Sequence, residues 1–205
     1  MFAVVESGSI ISYPKGNKGV KIGDYNYPPA VFTLWSESER NAVGIYTVEI
    51  DETNRKDEKW YTNTDITYAF GSGKVTGSYG TATARAHADT LFTAQDETDG
   101  LGTEGEVKVE GLKSVLIKNV KAKAEYMLSK TDWYITRKAE KSTAIPSAIT
   151  THRDAVRTKQ AAMETAITNA SDTPALETLY TVVNTADEGD TPVYARPLGV
   201  IPTLE

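Results

Sequence analysis

The chain reads as an α+β protein: a small antiparallel β module first, then an α-helical hairpin or bundle. Three observations predict this. Residues 1–83 hold short β-prone runs separated by Gly-, Pro- and Asn-containing turns, with aromatic residues in most runs. From Leu112 onward apolar residues recur at the helical period. Between these halves the sequence turns acidic and glycine-rich.

Taken in order, Phe2 to Glu6 and Ile10 to Tyr13 are β-prone and flank Ser7-Gly8-Ser9, a hairpin signal. Pro14 and the Gly16-Asn17-Lys18-Gly19 cluster end that hairpin. Pro28 and Pro29 hold Tyr25 to Pro29 extended. Val31 to Trp35 is expected as a short strand, Ser36 to Ala42 as one helical turn capped by Ser36 or Ser38, and Ile45 to Ile50 as a strand. Asp51 to Glu58 is a charged turn. Trp60 to Asn63, Ile66 to Phe70 and Lys74 to Thr83 follow as strands, with Gly71-Ser72-Gly73 a second hairpin signal.

Residues 84–93 are expected as a short helix that closes a β-rich domain over residues 1–93. Residues 94–111, with six acidic residues between Gln95 and Gly111, form an acidic arm or a solvated linker. A helical domain spans residues 112–186. Its first helix places Leu112, Leu116, Val120 and Met127 on one stripe, with Ala124 and Leu128 towards its edge. Thr131 or Asp132 is expected to cap a second, short helix through Trp133, Arg137 and Glu140. Pro146 opens a third helix, to about Asn169, with Ile149, Val156, Met163 and Ile167 buried. Ser171-Asp172-Thr173-Pro174 starts a fourth. The extended tail, residues 187–205, has three prolines and no periodicity, so it is expected to dock on the helical domain or on another chain.

Composition excludes several function classes. The chain has 205 residues, 40% of them hydrophobic and 24% charged, enough to bury a core. Its formal net charge of −6 argues against a general binder of phosphate backbones. Cysteine is absent, which removes thiolate metal sites and cysteine nucleophiles. His87 and His152 lack second ligands at useful spacing and read as surface or helix-face residues. The carboxylates from Asp96 to Glu106 do not follow the spacing of an EF-hand loop. Gly71-Ser72-Gly73-Lys74 only echoes a P-loop. No catalytic residue, metal site or cofactor is expected, no apolar run is long enough to span a membrane, and no secretory leader is recognised.

What stands out is the stretch from Gly111 to Arg157. Arg153 falls within about 40° of Ile149 on a wheel of ~100° per residue, inside an apolar stripe. A guanidinium there needs a partner. Asp132, at the start of the short helix, is the favoured intramolecular partner over Asp154 and Glu140. The other reading makes Arg153 and Arg157, one turn apart, a two-pronged donor to a binding partner. Trp133 and Tyr134 project about 100° apart, and a lone tryptophan in a small helical domain is expected in the core, with an interface as the alternative. The N-terminal aromatics are expected to pack the sheet; a platform for host glycans is the weaker reading.

These segments resemble bacteriophage tail-fibre-associated proteins related to the tail fibre assembly chaperones of lambda-like and Mu-like phages. The N-terminal likeness runs from Phe2 to Pro14, then Tyr27-Pro28 with Phe32 and Gly44-Ile45-Tyr46 with Val48. The C-terminal likeness lies in Gly111-Leu112-Lys113, Thr131-Asp132-Trp133, Arg137, Ile145-Pro146, Arg153 and Val156-Arg157. His152 stands where the family has tyrosine, Pro29 and Ala30 are additional before Phe32, and the acidic arm is long. The resemblance implies a non-enzymatic protein whose partner is a phage tail fibre or baseplate protein. It also implies action in the host cytoplasm during assembly, possible retention in the virion tail, and presence there in multiple copies or as a homo-oligomer. Trp133, Tyr134, Arg137, Arg153 and Arg157 are the partner-binding candidates. A structural subunit joining fibres to the particle is the alternative.

Overall fold

In the computed structural model, which describes residues 1–204, the chain divides into two compact units, Met1–Thr83 and Ala84–Glu205. The first is β-rich and the second carries the long helices, so the α+β class stands.

In the first unit β1 (Phe2–Glu6) and β2 (Ser9–Ser12) form a hairpin whose central residues, Ser7 and Gly8, both have positive φ, 48° and 79°. That is the turn whose twist matches two antiparallel strands. A small ladder follows, β3 (Val20–Ile22) with β4 (Tyr25–Tyr27). The expected strand over Val31 to Trp35 is instead a 3₁₀ turn, Pro29–Phe32, because Pro29 fixes the first turn and the amides of Val31 and Leu34 bond back to Pro28 and Ala30. Ser36 caps α1 (Glu37–Ala42) in a capping box with Glu39, before β5 (Ile45–Asp51). A two-residue strand, β6 (Tyr61–Thr62), precedes the hairpin of β7 (Ile66–Gly71) and β8 (Lys74–Tyr79).

The five-stranded sheet has the order β2-β1-β5-β8-β7. Three of its ladders are antiparallel, but β5 and β8 pair in parallel. The β module is therefore mixed, not purely antiparallel. Residues 52–65 carry the chain past the edge, so the β7–β8 hairpin adds with its second strand innermost, running the same way as β5. Ala3, Val5, Val48 and Val75 form the core of one face under Ile10, Tyr46, Tyr68 and Phe70. Val31, Phe32 and Ile45 form that of the other, with Phe2, Val20, Tyr27 and Trp35. Ring pairs such as Tyr46–Phe70 at 4.9 Å and Tyr13–Tyr68 at 5.1 Å show most of the aromatics spent on packing.

In the second unit residues 84–93 are not helical. β9 (Thr83–Ala84) lies at the boundary between the units and β10 (Thr90–Leu91) pairs with β11 (Val107–Val109). The carbonyls of Ala86 and His87 accept from the amides of Leu112 and Lys113, each at 3.0 Å, and the Asp89 carboxylate accepts from the Gly111 amide and the Ser114 hydroxyl. A helix over 84–93 would consume those carbonyls internally; extended, they satisfy the orphan amides at the start of α3. The acidic segment is an ordered arm containing α2 (Ala94–Thr98), capped by Thr93 and Asp96.

α3 (Leu112–Ser129) and α5 (Ser147–Asn169) pack along the expected stripes: Leu112, Leu116, Val120, Ala124 and Met127 on one, Ile149, Val156, Met163 and Ile167 on the other, all buried. Each large side chain so buried is worth roughly 1.5–3 kcal/mol. His152 is buried in the same face of α5, not on the surface. α4 (Asp132–Lys141) lies between them in sequence. α6 (Thr173–Tyr180) starts at Asp172, whose carboxylate accepts from the Ala175 amide, and it buries Leu176. After the pair β12 (Val183–Asn184) and β13 (Tyr194–Ala195), the tail docks on its own unit. Leu198 and Ile201 are buried and the Leu198 amide bonds to the Leu179 carbonyl at 3.0 Å.

Gly44 is a test of the β unit. Its φ is +83°, and a Cβ there would stand 2.6 Å from the Val5 carbonyl oxygen. Gly44→Ala is expected to cost this unit about 1–3 kcal/mol. The measurement is urea unfolding followed by tryptophan fluorescence in a Trp133→Phe background, where Trp35 and Trp60 both report on this unit.

Candidate functional site

The site is built where three helices of the second unit meet. α3 ends at Ser129 and α4 begins at Asp132, so only two residues separate them. The end of α3 leaves carbonyls without helical partners and carries the negative end of the helix dipole. Arg153, on the buried face of α5, brings a cation to that end. Its Nη1 lies 2.8 Å from the Leu128 carbonyl oxygen, 2.7 Å from Thr131 Oγ1 and 2.8 Å from Asp132 Oδ1.

One NH₂ group has two hydrogens, so three acceptors share them. Thr131 is fully buried and its hydroxyl donates onward to the Leu128 carbonyl at 2.9 Å. The sequence places Thr131 or Asp132 as a cap for α4. In the structure Thr131 sits at the cap position but makes no side-chain cap bond, because its hydroxyl and the Asp132 carboxylate are both recruited by Arg153. The ion pair with Asp132 is the intramolecular answer to a charge on an apolar stripe.

This bonding corrects the two-pronged reading. Arg153 is 8% exposed and its polar contacts lie within the chain. Arg157 is on the surface, 3.4 Å from Asp154 in its own helix. The two arginines do not form one binding element, because the first caps α3.

Trp133 is likewise not in the core; it is 52% exposed. Asp132 is held towards Arg153, and one residue along a helix is a turn of about 100°, which swings Trp133 outward. Nor do Trp133 and Tyr134 diverge. Their ring centroids are 3.8 Å apart, and the Arg137 guanidinium lies 4.8 Å from the first and 5.2 Å from the second. Arg137 is three and four residues on from them, the spacing that puts side chains on one face. The Arg137 Nε is a buried donor with no hydrogen-bond partner. α4 has no buried residue at all. Close by in the chain, Tyr126 is 55% exposed and receives the Lys130 ammonium over its ring at 4.5 Å. Tyr126 and Lys130 make a second aromatic–cation pair, which the sequence signals only as an aromatic outside the buried stripe followed by lysine one turn on.

The structure thus brings Trp133, Tyr134 and Arg137 together into one exposed aromatic–cationic cluster, and places Arg153 beneath it as a support. Chemically such a surface can stack, donate hydrogen bonds and attract carboxylates. Among the described residues no three His, Asp or Glu side chains gather as a metal would require, and no helix is long and apolar enough to cross a membrane.

No family model, curated protein or solved structure matches the chain.

Two substitutions separate the support from the charge pair. Arg153→Met is expected to lower the stability of the helical unit by about 1.5–3 kcal/mol, since it removes the charged donor to the buried Thr131 hydroxyl and the cation at the end of α3, although the Leu128 carbonyl keeps the Thr131 amide and hydroxyl as donors. Asp132→Asn is expected to cost under about 1 kcal/mol, because the Asp132 side chain is 58% exposed and the other two acceptors remain. Denaturation followed by far-ultraviolet circular dichroism checks the order of the two.

Proposed function

We propose that the chain is a bacteriophage tail fibre assembly chaperone, or a virion component derived from one, that binds the distal part of a trimeric fibre. One observation carries the reading: α4 presents Trp133, Tyr134 and Arg137 as a preformed cluster, on a helix that buries none of its own side chains. Aromatic and arginine side chains supply most of the energy at protein interfaces, and a cluster already ordered before binding loses little entropy on contact. The support also includes the resemblance of the segments from Thr131 to Arg157 to the fibre chaperones. On this reading the protein does no covalent chemistry. It covers apolar surface and unpaired strand edges on a fibre chain until three chains have paired.

The partner-facing residues are Trp133, Tyr134 and Arg137, with Arg157 at the margin and Arg153 as a positioning residue. Co-expression with the tail fibre gene of the same phage tests the proposal. Soluble trimeric fibre is expected to fall at least fivefold when the protein is omitted or carries Trp133→Ala. Equal yields of trimer in all three cases contradict it.

A further inference from the structure

The acidic arm and an apolar socket elsewhere in the same unit carry opposite charges. The arm is a rigid presenting structure. The helix α2 ends in a turn at Gly100 (φ 73°), after which the Leu101 amide bonds back to the Asp96 carbonyl at 2.9 Å. Gly102 lies flat against the Phe92 ring, where a Cβ would come within 2.6 Å of ring carbons. Phe92 exchanges backbone bonds with Gly105 and Glu106. Lys108 pairs with Asp96 at 2.6 Å, and that bond, with those from Thr93, draws the Asp96 carboxyl down to about 2. Yet Leu101, fixed by this framework and flanked by Asp99 and Glu104, is 61% exposed. An apolar side chain so exposed among carboxylates contributes little to its own fold.

The socket lies where the tail crosses α3, α5 and α6. It is a cavity of about 220 Å³ floored by Val120, Met163, Leu198 and Ile201, which are all buried. Lys123 and Arg196 stand at its rim, and neither makes an ion pair among the described residues. No carboxylate lines it. Its volume suits one aliphatic side chain with its approach, and its rim suits an acidic neighbour on either side.

We propose that Leu101 of one copy of this chain seats in the socket of a second copy, with Asp99 and Glu104 meeting Lys123 and Arg196. Leu101 is not among the residues lining its own socket, and the arm that carries it is fixed, so the contact is between copies. Arm and socket are different surfaces, so the association is heterologous; it leaves a free arm and a free socket on each pair and closes as a ring or extends. The exposed Leu91, Val107 and Val109 on the strands of the arm widen the apolar surface that a second copy would cover.

Sedimentation velocity of the full chain across a concentration series tests this. The wild type is expected to show species of two or more copies, weakening as salt is raised. Leu101→Ser and Lys123→Glu/Arg196→Glu are each expected to raise the dissociation constant at least tenfold, with unchanged circular dichroism. Mixing the socket charge reversal with the arm reversal Asp99→Lys/Glu104→Lys is expected to restore a mixed complex that neither variant forms alone. A wild type that stays monomeric to several hundred micromolar overturns the proposal, as does a Leu101→Ser variant that associates like the wild type. Saturable binding of a medium-chain carboxylate such as decanoate without any self-association overturns it in favour of a small-molecule site.

Discussion

The corner formed by α3, α4 and α5 depends on one side chain. Arg153 reaches from α5 to the Leu128 carbonyl near the end of α3, to the buried Thr131 hydroxyl and to the carboxylate that opens α4. Its Nη1 alone makes these three contacts, while its aliphatic stem lies along an apolar face. Helix ends are where a bundle is least self-sufficient, since their carbonyls find no partners within the helix. Placing the cation there complements the negative end of one helix and ties it to the start of the next.

From that constraint follows the surface above it. With Asp132 turned towards Arg153, helical geometry turns Trp133 away from the core, and Tyr134 and Arg137 close around it. A helix with no buried residue has little of its own packing to hold it in place. It stays positioned through the corner and through the half-buried Tyr134 and Arg137. Support and contact are therefore separate: Arg153 decides where the cluster points, and the cluster decides what it touches.

How much of this was legible in the sequence varies by element. The long helices were legible because their apolar residues keep a strict period, and Asp132 was legible as the partner of Arg153 because a charge on an apolar stripe must find an acid nearby. The exposure of Trp133 was not, since it depends on the rotation that the Arg153 contacts impose, and composition favours a buried tryptophan. Residues 84–93 have helical propensity in Ala84, Ala86 and Ala88, but the amides at the start of α3 compete for the same carbonyls and win. The parallel ladder between β5 and β8 is a matter of the order in which the strands add, and β-prone runs carry no mark of that order. The socket rimmed by Lys123 and Arg196 joins a mid-helix lysine to an arginine in an aperiodic tail, a pairing no local pattern signals.

Amide hydrogen exchange on the intact chain, compared between wild type and Arg153→Met, tests the dependence of α4 on Arg153 most directly. Amides of α4 are expected to lose most of their protection in the variant while those in the middle of α3 and α5 keep theirs, because the apolar stripes remain packed. Protection of α4 unchanged by the substitution would contradict it.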